Sequence, residues 1–447
     1  MKIAKFSLYY LLSSLGSAGL SLFLLPVLTH LIPPGELGIW VILQTTAVYY
    51  QLVSTLGMNS VLMEKGFEKD RYGLFSVLIK ISIPLHLLLF LIFLAAGLPY
   101  LEFLIGAETA EKYKTPLLLI AGGAALERIV MPINTLYQIY ERIRTINVLK
   151  IIYTILFFTL ALFATASSRP VFFLCFAFFT ANLVYGILTV TVFFYTPLRL
   201  IPGRAAPLAV NPCRIINFVL PVFLGVLFLE TLHTADRFMI QLFTDSSYVA
   251  AYSVIYKGGI FYLLILNAFR EAWYPFVLKK KRENVKESSN IFFAQFFCVN
   301  LFILLLLCTI LPRIYALKIR GFLLIPEFYH GFFANFPILI LAYFFCGLYY
   351  FLEVVTLRQG FVWPHTFLKL GCMILNIILN IIWIPAMGLF GAFLSTSICF
   401  GMLFIISLFW APDLMLGLWK NKKYLTIIIC QIAIFALLLN VGLFTVK

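Results

Sequence analysis

Four ionisable side chains, Glu230, His233, Asp236 and Arg237, stand close together in one long apolar stretch. At about 100° per residue of helix they share a face about 120° wide. An ionisable group in the middle of a membrane span costs roughly 2.5–3.5 kcal/mol on insertion scales, so it needs a partner or an aqueous cavity. The next apolar run carries Lys257 and then Arg270-Glu271, and an earlier one carries Glu127-Arg128, with Asn134 and Gln138 continuing the Glu127 face. Basic groups at mid-depth suit a phosphoanion, which must keep charge-assisted hydrogen bonds when it leaves water. Lys257, Arg237, Arg128 and Arg270 are the candidates for that task. Glu230, Asp236, Glu127 and His233 could instead take up a coupling proton or cation. A plainer reading stands beside this one. Glu127-Arg128, Asp236-Arg237 and Arg270-Glu271 are adjacent acid–base pairs and could serve as structural ion pairs between helices. Lys257 and Glu230 have no neighbour of opposite sign in the sequence. His86 and His30 are expected to be hydrogen-bonded packing residues.

The elements that must position these groups are transmembrane helices. Of the 447 residues 63% are hydrophobic and 11% charged, against about 25% charged in a soluble domain. Apolar runs of about 20 residues recur along the whole chain, each able to cross about 30 Å of hydrocarbon as a helix. Runs such as Ile291–Ile310 do not alternate as spanning strands would. Thirteen candidate spans cover approximately 6–32, 37–63, 72–98, 115–137, 146–168, 171–195, 215–243, 247–277, 290–312, 335–357, 366–385, 387–410 and 424–445. The fold class expected is therefore an all-α integral membrane protein of about 12–14 helices. The run 366–410 is too long for one span, and Ile384-Pro385-Ala386-Met387-Gly388 is read as a tight turn. Met1–Lys5 and the apolar run behind it are read as an uncleaved first helix, since the run exceeds a signal-peptide core.

Arginine and lysine set the orientation. With the N-terminus inside, 22 of the 33 basic residues fall in inside segments, Lys369 among them, and 7 fall outside. That asymmetry follows the positive-inside rule. The charge of +15 is spread over short interhelical clusters, which argues against a nucleic-acid partner. The longest inside linker, 196–214, carries four prolines and divides the chain into lobes 1–195 and 215–411, leaving 412–447 as an additional helix. The eight cysteines form no CxxC pair and read as small hydrophobes. No P-loop, HExxH or DxD motif occurs, so neither nucleotide nor metal is expected as a cofactor, and the chain is read as a transporter and not an enzyme.

The halves echo each other. Leu31–Trp40 leads from the first span to the second through a short turn, small residues and an aromatic, and Leu242–Tyr252 does the same in the second half. Repeated halves are a transporter signature. On these residues, on Phe23-Leu24-Leu25-Pro26, on Leu220-Pro221 through Asp236-Arg237-Phe238 to Tyr252-Ser253, and on Asn376–Asn380 with Ile384-Pro385 and Gly388–Ala392, the chain resembles polysaccharide-biosynthesis flippases of the O-antigen (Wzx) type in the MOP superfamily. The resemblance spans about residues 1–410. It implies two six-helix lobes around a central cavity that opens alternately to each side of the bacterial inner membrane. It also implies a lipid substrate, an undecaprenyl-pyrophosphate-linked oligosaccharide, with a polysaccharide polymerase complex as a candidate partner. Many such flippases carry cavity arginines in helices 1 and 2. Here helix 1 has no charge beyond Lys5 and helix 2 none before Glu64, so anion binding would rest on other helices. A drug or cation exporter of the same superfamily is the first alternative. A membrane polymerase or glycosyltransferase is the second, disfavoured by outside loops with few ionisable groups.

Overall fold

The computed structural model describes residues 23–55, 71–139, 142–195, 212–279, 282–319, 321–412 and 422–440. Most of the expected linker 196–214, the loop 64–70, the segment 413–421, and Lys2 and Lys5 lie outside these residues. Residues 23–31 are helical (α1). They are followed by α2 Pro34–Thr55, α3 Arg71–Ile105, α4 Ala107–Ile139, α5 Ile143–Thr165, α6 Pro170–Tyr195, α7 Pro212–Phe243, α8 Ser246–Gly258, α9 Ile260–Lys279, α10 Arg282–Tyr315, α11 Phe336–Arg358, α12 Val362–Met387, α13 Leu389–Phe409 and α14 Lys422–Asn440. Among the described residues nine helices are long and apolar enough to cross a membrane. Hydrocarbon offers no partner for backbone N–H and C=O groups, and a helix satisfies them within itself. The all-α, multi-pass membrane architecture expected from the sequence is thus the one observed.

The chain forms two compact units. The first comprises residues up to Leu227 together with Asp245–Ala250. In it α6 packs on α4 and α5, and α4 also carries α3 and α2. The turn read from Leu31–Trp40 is present: α1 stops at residue 31, Pro34 opens α2, where its missing N–H costs nothing, and Trp40 is buried. The second unit comprises Phe228–Thr244 and the residues from Ala251 onwards. There α13 packs on α11 and α12, α11 on α9 and α10, and α14 on α10.

One expectation about the elements needs correction. The span 247–277 is broken: α8 ends at Gly258, Gly259 is a turn residue, and the two helical pieces meet at 49°. The described residues of 311–334 are also structured. They hold the end of α10, a two-stranded antiparallel hairpin of β1 (Lys318–Ile319) and β2 (Phe322–Leu323), and a 3-10 helix over Glu327–Asn335. The turn read at 384–388 is present but confined to Gly388, since the helix before it runs through Pro385 to Met387. Gly388 sits at φ 59, ψ −139, a conformation that only glycine adopts without strain.

Helix α12 shows the inside-out logic of a membrane protein. Ile374, Ile378, Ile381 and Ile382 are exposed on one face, while His365, Lys369, Cys372, Asn376 and Asn380 are buried on the other. Their spacing of three or four residues forms one stripe down the helix. Apolar side chains face outward, and polar ones point inward to partners.

Candidate functional site

The second unit holds the densest polar constellation. Asp236 is fully buried at 0% exposure. Its carboxylate accepts hydrogen bonds from the Tyr252 hydroxyl, the Asn380 amide and the Thr396 hydroxyl, each at 2.6 Å. Four helices, α7, α8, α12 and α13, therefore converge on one carboxylate. Around it the Asn380 amide also donates to Asn376 Oδ1 at 3.1 Å, and the Ser395 hydroxyl donates to Asn380 Oδ1 at 2.5 Å. Burying a carboxylate in apolar surroundings is prohibitive unless its lone pairs are met. Three short donor contacts meet that need. The group around Asp236 also supplies neutral oxygens from Tyr252, Asn376, Asn380, Ser395 and Thr396, the donor chemistry of a proton or small-cation site.

One turn earlier on α7, half-buried His233 lies between two tyrosines. Its Nδ1 is 3.0 Å from the Tyr256 hydroxyl of α8, and its Nε2 is 3.5 Å from the Tyr350 hydroxyl of α11. The imidazole also lies against Phe400 of α13, centroids 4.7 Å apart.

The two adjacent pairs whose side chains are both described, Asp236-Arg237 and Glu127-Arg128, do not behave as simple ion pairs. Arg237 does not clasp Asp236. Its Nη1 donates to the His233 carbonyl at 3.1 Å, and its guanidinium lies 4.6 Å over the Tyr256 ring and 5.8 Å from that of Tyr252. Cation–π contact holds a positive charge without neutralising it. In the first unit Glu127 and Arg128 are joined through Gln51, whose amide donates to Glu127 Oε2 at 2.7 Å and accepts from Arg128 Nη2 at 2.9 Å. Asn134 donates to the Tyr185 hydroxyl. Arg270 is exposed and lies 4.8 Å over the Tyr350 ring. The Glu271 side chain is outside the described ones.

Lys257 is half-buried in the last turn of α8, where the helix dipole favours a cation. No described residue makes a hydrogen bond or ion pair with it. The Glu230 carboxylate likewise makes no hydrogen bond or ion pair among the described residues. His86 is buried, as expected of a packing histidine; His30 is exposed and, among the described residues, bonds only the Pro26 carbonyl of its own helix through Nδ1.

A second polar cluster escaped the sequence reading. Glu353 of α11 and Lys369 of α12 form a buried ion pair at 2.5 Å, with side chains 6% and 9% exposed. The Tyr349 hydroxyl donates to Glu353 at 3.2 Å and lies 3.4 Å from His365 Nδ1, while His365 Nε2 contacts the Thr356 hydroxyl at 2.5 Å. The placement of Lys369 among the inside loop residues needs correction. It lies two turns into α12, and its positive charge is spent on Glu353 and not on topology. A glutamate near the end of one span and a lysine near the start of the next, across a short turn, was the available signal. Asn380 and Thr396 were missed as partners of Asp236 because they lie 144 and 160 residues away.

The fold is that of a polytopic, all-α membrane protein, and solved structures share it. The inward closed structure of the lipid II flippase MurJ is similar over 98% of both chains, at TM-score 0.68 and 15% identity. An inward-facing multidrug resistance MATE family transporter of the MOP superfamily gives TM-score 0.68 at 11% identity, covering 93% of this chain and 96% of that one. The Vibrio cholerae MATE transporter VcmN in its bent form gives 0.63 at 12%, covering 95% and 98%. No curated protein matches the chain in sequence. The polysaccharide biosynthesis protein family model matches residues 3–280, and the chain belongs to that family.

Proposed function

We propose that the protein is a flippase that carries an undecaprenyl-pyrophosphate-linked oligosaccharide from the inner to the outer leaflet of the bacterial inner membrane. It works by alternating access, driven by an ion gradient, with its N-terminus in the cytoplasm. Family membership supports a role in polysaccharide biosynthesis, and likeness to a lipid II flippase supports a lipid-linked glycan as cargo. The observation that carries the reading is the imbalance of partners in the second unit. Its buried carboxylates, Asp236 and Glu353, are satisfied. Lys257 has no hydrogen-bond or ion-pair partner among the described residues, and Arg237 holds only a carbonyl and two aromatic faces. Uncommitted positive charge suits a pyrophosphate. Arg270 is a further candidate anion contact in the second unit, and Arg128 is a candidate in the first. Asp236, with His233, is assigned the coupling ion, and Glu127 and Glu230 are secondary candidates. A polysaccharide polymerase complex would receive the flipped unit.

The Glu230 carboxylate, with no hydrogen-bond or ion-pair partner among the described residues, favours the rival reading, a cation exporter of similar fold. Reconstituted vesicles separate the two. The flippase reading expects undecaprenyl-pyrophosphate glycan to change leaflet under an imposed proton or sodium gradient without ATP. Uptake of cationic dyes under the same gradient, with no lipid movement, would replace it by the exporter.

A further inference from the structure

Helix α8 is fixed to α7 at two points one turn apart. Tyr252 donates to Asp236 at 2.6 Å, and four residues later Tyr256 meets His233 at 3.0 Å. The two groups gripped on α7 are also one turn apart, so the tyrosines report on both ionisable positions from one helix face. Their rings are 5.6 Å apart, and Arg237 lies over both. Lys257 follows Tyr256 directly. One residue further the helix ends at Gly258-Gly259, where a Cβ would lie 2.6 Å from Phe336 and 2.2 Å from Tyr343. The break therefore rests against α11 with no side chain between. A short helix with two hydroxyl contacts along one face, a cation on its last turn and a glycine pivot beyond has the parts needed to convert a change at Asp236 into a movement of Lys257.

We infer that Tyr252 and Tyr256 are positioning residues that couple ion occupancy at Asp236 and His233 to the anion affinity of Lys257, with α8 turning on Gly258-Gly259. The inference rests on the ion-coupled flippase reading and adds its linkage. An ion on Asp236 competes with the Tyr252 hydroxyl for the carboxylate. A proton on His233 Nδ1 turns that atom from acceptor to donor and reverses its bond with Tyr256. Either event changes what holds α8, and Lys257 moves with it. Coupling between two binding sites is reciprocal, and commonly amounts to about 5–150-fold in affinity.

The test uses full-length protein in nanodiscs, with undecaprenyl pyrophosphate as probe and protons and sodium varied separately. Its dissociation constant is measured at low and saturating ion. In the wild type the ion changes it by at least about 5-fold. Tyr256→Phe keeps the ring under Arg237 and loses only the hydroxyl; Tyr252→Phe keeps the stack on Phe393, at 4.5 Å between centroids, and loses the contact with Asp236. In each the ion-dependent change falls below about 2-fold, a loss of linkage that a merely structural role would not produce. Tyr329→Phe, buried and remote from both groups in sequence, keeps the wild-type change. If Tyr252→Phe fails to fold, Tyr256→Phe decides alone. A wild-type shift that survives in Tyr256→Phe overturns the inference and leaves the flippase reading intact. Probe binding with no ion-dependent shift in the wild type overturns both.

Discussion

The Glu353–Lys369 pair allows a quantitative test of how the second unit is held together. Both side chains are under 10% exposed, and among the described residues the carboxylate has Lys369 at 2.5 Å and the Tyr349 hydroxyl at 3.2 Å. Lys369→Met removes the cation and keeps most of its length, leaving a buried carboxylate with one neutral donor. Breaking a buried pair from one side costs about 3–5 kcal/mol, whereas replacing both members with apolar residues of similar volume is often neutral or stabilising. The single variants Lys369→Met and Glu353→Leu should therefore each shift the folding equilibrium by about two to three and a half orders of magnitude. The double variant should recover most of that loss. The assay is reversible unfolding in mixed micelles with increasing SDS, followed by tryptophan fluorescence, for the four proteins of the cycle. A double variant as unstable as the sum of the singles would refute the reasoning, because the two residues would then act independently.

Four further outcomes follow from the same contacts. Lys257→Ala should abolish surface glycan at normal membrane abundance, while Lys257→Arg, which keeps the charge with another donor geometry, should retain part of it; wild-type glycan from the alanine variant would move the anion site to Arg128, Arg237 or Arg270. Asp236→Asn should remove the ion dependence of transport, measured in vesicles with and without the gradient, because the amide cannot bear the charge that binds the ion. Gly388→Ala should lower stability by about 1–3 kcal/mol in the SDS titration, given its φ of 59, while Gly371→Ala, with nothing within 4 Å of a Cβ, should not. A reporter active only outside the membrane should be silent when fused within 278–289, and activity there would reverse the proposed orientation.

The helices, the turn at Gly388 and the polar face of α7 were legible because each depends on residues within a few turns of one another. Hydropathy places a span, and a 100° rotation per residue puts His233, Asp236 and Arg237 on one side of it. Periodicity gives a face but not the helix opposite. Adjacency in sequence makes Arg237 look like the partner of Asp236, yet neighbours on a helix point about 100° apart, and the structure satisfies them separately. The real partners of Asp236 come from α8, α12 and α13. The segment Asn376–Asn380 contains one of them without saying what the amide is for. Lys369 is misread from sequence because charge near a span end resembles loop charge. The break at Gly258-Gly259 is written in two adjacent glycines, whose effect depends on Phe336 and Tyr343 pressing against them from α11.

The central claim is that this chain moves a finished lipid-linked glycan across the membrane. Its most direct measurement is the lipid-linked intermediate that accumulates when the gene is deleted. The account predicts complete undecaprenyl-pyrophosphate repeat units held on the cytoplasmic leaflet, relieved by the wild-type chain and not by Lys257→Ala. Incomplete repeat units, or complete ones reaching the outer leaflet at the wild-type rate, would contradict it.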